Sequence, residues 1–267
     1  MYEVEICHYI FMGNHFHMIL RVINPEHVQA FFRYIKSESA HAINRLLGRR
    51  KRTVWVDRYD SPIILDADKL RQMVIYLYLN PVKANLVDSI DEYPGVSSWK
   101  MFKNNIRYTR HKKIGRDRIK KLPTPSLSVS EQKDLVERYK VHGKEFELKI
   151  EPLKCFQVLG EQDDIQQIIE QIREEELKLK KERKHETMGI TRLRRESIQK
   201  QHTPKKHSPK MICLSTDKEL RKTLIGHFNY LCSLALEVYN QWKLGELRFK
   251  IPPGLYPPRM PTLVSAL

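Results

Sequence analysis

Tyr9-Ile-Phe-Met-Gly-Asn-His-Phe-His-Met-Ile-Leu20 is the stretch from which the fold is read. Apolar runs flank Met12-Gly13-Asn14, and Gly-Asn is a strong reversal signal, so two antiparallel strands joined by a tight turn are expected. Side chains alternate faces along a strand, so His15 and His17 project one way while Asn14, Phe16, Met18 and Leu20 project the other. Two imidazoles fixed on a rigid strand can share a divalent cation at little entropic cost. Taken alone, His-x-His is more often the solvent face of a half-buried strand. A third ligand and a reactive group have to come from elsewhere.

The strand signal extends back over Tyr2 to Phe11, with Val4, Ile6 and Ile10 expected on one face. Forward of the hairpin, Asn24-Pro25 is a helix start, and Val28, Phe31, Phe32, Ile35, Ala42, Ile43 and Leu46 keep helical spacing up to Gly48. The basic run Arg49-Arg50-Lys51-Arg52 follows, readable as a solvated tether or as a clamp on phosphates. Thr53 to Val56 and Ser61 to Leu65 read as short strands. Asp66 or Asp68 then caps a second helix with a buried stripe of Leu70, Met73, Val74 and Leu77, ending at Pro81. Tyr76 and Asn80 are four residues apart and project from one side of that helix, whereas Tyr78 faces elsewhere. By itself Tyr-x-x-x-Asn is what an aromatic helix packed in a core would show.

Composition narrows the class. Over 267 residues, 48 Lys and Arg oppose 32 Asp and Glu, a formal charge of +16, which points to a polyanionic partner, nucleic acid foremost. The cysteines at 7, 155, 213 and 232 form no Cys-x-x-Cys pair, so neither a zinc site nor a disulfide framework is suggested. Glu3 and Glu5 stand where a signal peptide would carry positive charge, and no long uninterrupted apolar segment exists. A cytoplasmic protein without a membrane segment is expected.

In combination these pieces acquire a specificity that none has alone. Met12-Gly-Asn-His-Phe-His-Met-Ile-Leu20, then Arg58-Tyr59-Asp60, then Tyr76-Leu-Tyr-Leu-Asn-Pro-Val-Lys-Ala-Asn-Leu-Val87, then Asp91-Glu-Tyr-Pro-Gly-Val-Ser-Ser-Trp99 resembles the single-tyrosine HUH transposases, and more closely their REP-associated (RayT-type) branch. The resemblance covers about Glu3 to Trp99. It implies an α+β fold, a ferredoxin-like (RRM-like) antiparallel sheet with helices on one face. Members normally carry a further strand and helix ahead of the hairpin, so a core lacking that N-terminal pair is expected of this chain. It further implies Mg2+ or Mn2+ held by His15, His17 and Asn80, Tyr76 as nucleophile, and a 5′-phosphotyrosyl intermediate on single-stranded DNA beside a hairpin. The enzyme would be a monomer or homodimer in the bacterial cytosol or nucleoid. The alternative is a catalytically silent DNA-binding relic; a replication initiator or relaxase with the same histidines fits Leu79-Asn-Pro-Val-Lys-Ala84 less well.

The expected organisation is a catalytic core over 1–99, a basic linker over 100–130 and a helical basic extension over 131–267. The stretch 100–121 interleaves Trp99, Phe102 and Tyr108 with many cations, which suits either a nucleic-acid surface or a linker. Arg49, Arg50, Lys51, Arg52, Lys83, Lys112 and Lys113 are the candidate DNA contacts. Ser130 to Tyr139 reads as a short helix. Asp163 to Lys184 reads as a long charged helix with an imperfect stripe of Ile165, Ile168, Ile172 and Leu179, a solvated spacer rather than a coiled coil. Lys184 to Lys210 has the composition of a segment that DNA would order. The amphipathic run Asp217 to Trp242 should dock on something, and Ile251 to Pro261 reads as an extended Pro-rich end.

Overall fold

The computed structural model describes residues 2–46, 52–55, 59–113, 144–196 and 211–245. They form an α+β protein in two units, Met1–Tyr59 with Leu70–Pro209, and Asp60–Lys69 with Lys210–Leu267.

The first unit is built on the hairpin. Strand β1, Val4–Phe11, pairs antiparallel with β2, Phe16–Val22. The connection is a four-residue loop, 12–15, closed by Met12 N donating to the His15 carbonyl at 2.8 Å. Gly13 and Asn14 both keep negative φ, so this is not the two-residue primed turn that Gly-Asn suggests.

The register slips at Cys7: Ile6 faces Leu20, but His8 faces Ile19. Such a bulge exchanges the faces of everything beyond it. Ile6, Tyr9 and Phe11 therefore share the Met18 side, where they pack with Met101 and Ile150. Ile10 and His8 turn to the His17 side, contrary to the uninterrupted alternation expected for β1.

The free edge of β1 is covered by the 93–98 segment. Phe11 N donates to the Val96 carbonyl at 2.8 Å, Ser98 N to the Tyr9 carbonyl at 2.9 Å, and Ile10 bridges Ser97. Tyr93 Oη donates to the Phe11 carbonyl at 2.8 Å, and its ring lies over Gly95, where a Cβ would come within 2.3 Å of Cε1. The Tyr-Pro-Gly-Val-Ser-Ser stretch thus satisfies the polar backbone of an edge strand.

Helix α1, Pro25–Leu46, starts where Asn24 Oδ1 accepts from Glu26 N at 3.0 Å, and sets Phe32 against Phe16. Residues 53–55 are not a strand, although Thr53 to Val56 reads as one; Trp55 is held instead by its own anchors, an Nε1 bond to Ser39 Oγ at 2.8 Å and an edge contact with Phe16. Helix α2, Ala67–Lys83, continues past Pro81, because a proline in the last turn costs only the bond to the Leu77 carbonyl. It stops at Asn85, φ 54°, with Asn85 N bound to the Val82 carbonyl and Leu86 N to the Pro81 carbonyl, a Schellman closure.

Behind α2 follow a 3-10 turn, Ile90–Glu92, and α3, Trp99–Lys103. Strands β4, Tyr108–Lys113, and β5, Lys144–Lys149, form an antiparallel ribbon, and α4 (Lys154–Val158), α5 (Ile165–Glu182) and α6 (Gly189–Arg195) complete the unit. Trp99 and Phe102 are buried, so among the aromatics of the basic stretch only Tyr108 is on the surface. Helix α5 is capped by Asp164 and buries Ile165, Ile168, Ile172 and Glu176, so it is a core helix and not a solvated spacer. Glu176 accepts from Ile90 N at 2.7 Å, and Arg173 bonds Asp91 with its guanidinium 5.2 Å from the Trp99 ring centre. The expected helix over 130–139 lies outside the described residues.

In the second unit, β3 (Ile63–Ile64) pairs in parallel with β6 (Cys213–Leu214). Asp66 caps α2 by accepting from Lys69 N at 2.7 Å and also binds Thr216 through N and Oγ1, at 2.8 and 2.9 Å. Helix α7, Lys218–Lys243, is capped by Asp217 and has no buried residue; Phe228 and Leu236 are exposed. Among the described residues no helix is long and apolar enough to cross a membrane.

Candidate active site

The cluster forms where β2 meets α2. His17 stands opposite Ile10 on the side of the hairpin that α2 covers. Val74, Leu77, Tyr78, Leu79 and Val82 are buried, which fixes the rotation of α2 about its axis. That rotation leaves Tyr76 and Asn80, one turn apart, flanking the buried stripe and meeting His17.

The Tyr76 and His17 rings are 5.6 Å apart in an edge-to-face arrangement. Asn80 Nδ2 donates to His17 Nε2 at 3.0 Å, so neutral His17 carries its proton on Nδ1 in this arrangement. His15 sits on the exposed loop with its ring centre 5.0 Å from that of His17, and its Nδ1 lies 2.6 Å from Asn14 Oδ1. An amide acceptor on Nδ1 holds a proton there. Burial, with the neighbouring His15 adding to it, lowers the His17 pKa to about 4, so this imidazole is a neutral base at pH 7.

Tyr76 is 38% exposed, enough for an incoming strand to reach it, while Tyr78 is wholly enclosed. Lys83 Nζ lies 5.0 Å from the Tyr76 ring centre. Tyr78 belongs to a separate buried network. Its Oη is 2.9 Å from His8 Nδ1 and 2.9 Å from Ser98 Oγ, and burial pushes the phenol's pKa far up. His8 Nε2 donates to the Pro152 carbonyl at 3.2 Å, which leaves Nδ1 to accept from Tyr78.

Of the residues singled out by sequence, then, His15, His17, Tyr76, Asn80 and Lys83 are brought together. Arg52 is exposed and its carbonyl accepts from Asn44 Nδ2 at 2.8 Å, while Arg49, Arg50 and Lys51 lie outside the described residues. Lys112 and Lys113 lie on β4, in the ribbon. Sequence reasoning treated Asn14 only as a turn residue; its place beside a candidate ligand was the available signal for an orienting role.

Two imidazoles and one carboxamide form a donor set without a carboxylate. Among the described residues no group of three His, Cys, Asp or Glu side chains converges to hold a metal ion. The set still fits a divalent cation that keeps part of its charge for a phosphate, with Asn80 offering Oδ1 once its amide turns over.

Residues 1–80 match a model of IS200-like transposases, and the matched span contains His15, His17, Tyr76 and Asn80. No curated protein and no solved structure matches the chain.

Proposed function

We propose that this chain is an IS200-like transposase of the single-tyrosine HUH type, a DNA strand-transferase of the REP-associated kind acting at single-stranded sites beside hairpins. The observation that carries the reading is the meeting of Tyr76, Asn80 and His17 at the junction of β2 and α2, with Tyr76 exposed and Lys83 against it. The likeness of residues 1–80 to IS200-like transposases and the excess of basic residues support it.

In this reading, His15, His17 and Asn80 hold Mg2+ or Mn2+, which when bound offsets the negative charge that develops on the scissile phosphate. Tyr76 Oη attacks phosphorus. The Oη–P bond forms as the P–O3′ bond breaks, the phenol gives up its proton and the 3′ oxygen gains one. The products are a 5′-phosphotyrosyl protein and a free 3′-OH. Because one phosphodiester replaces another, a second 3′-OH can reverse the step at a new site without a nucleotide cofactor. Lys83 holds a positive charge beside the phenol, where the transferred phosphate arrives. The fixed neutrality of His17 keeps a lone pair available across the physiological range.

The test is a denaturing-gel assay for a covalent adduct with a hairpin-bearing single strand, labelled downstream of the cut, with Mn2+ or with EDTA. A metal-dependent adduct that persists in Tyr78→Phe and vanishes in Tyr76→Phe is expected. Absence of any adduct, with DNA binding retained, would make the chain a DNA-binding relic and overturn the enzymatic reading.

A further inference from the structure

The ribbon of β4 and β5 has a sorted surface. Its register places Tyr108 opposite Lys149, Arg110 opposite Glu147 and Lys112 opposite Glu145 on one face. The alternate pairs are Thr109 with Leu148, His111 with Phe146, and Lys113 with Lys144. Both carboxylates of the ribbon therefore fall on the first face, and the second register contains none.

The second face begins in the core and leaves it. Leu148 packs against the cluster of Tyr9, Met101 and Ile150, and Thr109 Oγ1 lies 3.7 Å from Met101 Sδ. Ile150 N donates to the Arg107 carbonyl at 3.0 Å, closing the root of the ribbon. One pair farther out, the His111 and Phe146 rings stack with centroids 5.6 Å apart and planes 29° from parallel. His111 is exposed and Phe146 is 46% exposed, yet the imidazole is held in place by a 2.8 Å bond between Nε2 and Thr109 Oγ1. The next pair outward is Lys113 and Lys144.

A flat exposed ring pair, held rigidly and flanked by lysine positions without acids, matches a ligand with an apolar face and an anionic edge. An unstacked nucleotide in a strand is such a ligand. A duplex keeps its bases stacked on one another and offers no free face, so the complement is single-stranded. We propose that His111 and Phe146 form a stacking platform for an unpaired base of single-stranded nucleic acid. The platform is a second contact on the substrate class inferred for the Tyr76 site, and it rests on the ribbon's own geometry.

Fluorescence anisotropy of the full chain with a labelled oligothymidylate in EDTA tests it without any cleavage step, so its outcome is independent of whether Tyr76 forms an adduct. Phe146→Ala should weaken binding about fivefold or more, as loss of one stacked base does, with an unchanged salt slope. Phe146→Trp should retain affinity, and its indole emission should fall on binding. A strand of abasic sites should bind the unaltered protein and Phe146→Ala equally. Equal affinity of Phe146→Ala and the unaltered protein for oligothymidylate would overturn the platform. So would an equal loss with the abasic strand, or binding of anionic lipid vesicles that depends on Phe146 while oligothymidylate binding does not.

Discussion

Lys83 lies over the ring of Tyr76, its Nζ 5.0 Å from the ring centre and its Cα two helical turns farther along α2. A cation held there meets the phosphate as it is transferred. Lys83→Met should slow adduct formation at saturating DNA roughly two- to fivefold, the worth of an exposed cation–ring contact, and Lys83→Arg should restore most of the rate. If single-turnover rates are unchanged and only DNA affinity falls, Lys83 is a plain phosphate contact.

The buried His8 makes stability depend on pH. Burial lowers its pKa from 6.5 to about 3, outweighing the Pro152 carbonyl that favours the charged form. Between those two values the unfolded chain binds a proton that the folded chain refuses. Stability from this group is thus whole above about pH 6.5 and is lost as pH falls towards 3, at up to about 1.4 kcal/mol per pH unit. Urea unfolding between pH 5 and 6.5 should show this slope, and His8→Asn should be less stable at pH 7 but flatter across that window. Parallel slopes would show that His8 takes up its proton in the folded protein.

What the sequence made legible was local. The hairpin, the Asn24 and Asp66 caps and the shared side of Tyr76 and Asn80 all follow from residues within a turn or two of one another, and each is present. What it hid was set by distant partners. The bulge at Cys7 depends on how β1 pairs with β2 and on Glu151 N binding the Ile6 carbonyl, 145 residues away in sequence, so the face of Ile10 could not be read from alternation. Glu176 belongs to the polar positions of α5 by residue type, and only the Ile90 amide and Arg173 make its burial tolerable. The Tyr78 network, assembled from β1, α2 and the Ser98 turn, was invisible for the same reason.

Gly95 is required by its neighbour rather than by its own backbone. A Cβ there would lie 2.3 to 2.5 Å from Cε1, Cζ and Oη of Tyr93, and the ring is tied by its hydroxyl to the Phe11 carbonyl. Gly95→Ala should displace the ring, break that bond and loosen the edge of β1, costing about 1–3 kcal/mol. Thermal unfolding of Gly95→Ala beside Gly95→Ala/Tyr93→Ala measures it. The double variant should show less than the sum of the two single losses, because the clash disappears with the ring; strict additivity would mean that the ring moves aside freely.

Glu176 anchors α5 through a charge-assisted bond. Its Oε1 accepts from Ile90 N at 2.7 Å and its Oε2 from Arg173 Nη1 at 2.9 Å, while Arg173 also reaches Asp91. Burial raises the Asp91 carboxyl, but bonds from Trp99, Arg173 and Lys103 outweigh it and hold the pKa below the usual range, so Asp91 keeps its negative charge at neutral pH. Glu176→Ala removes the acceptor for a buried amide and should cost about 1–3 kcal/mol, whereas Glu176→Gln keeps an oxygen for Ile90 N and should cost less. Hydrogen exchange distinguishes anchoring from simple burial. The Ile90 amide should lose protection in Glu176→Ala and keep it in Glu176→Gln, and Glu176→Leu, which fills the space without an acceptor, should resemble the alanine variant at Ile90. Protection of Ile90 in Glu176→Leu equal to that of the unaltered chain would show that packing alone holds α5 against the 3-10 turn.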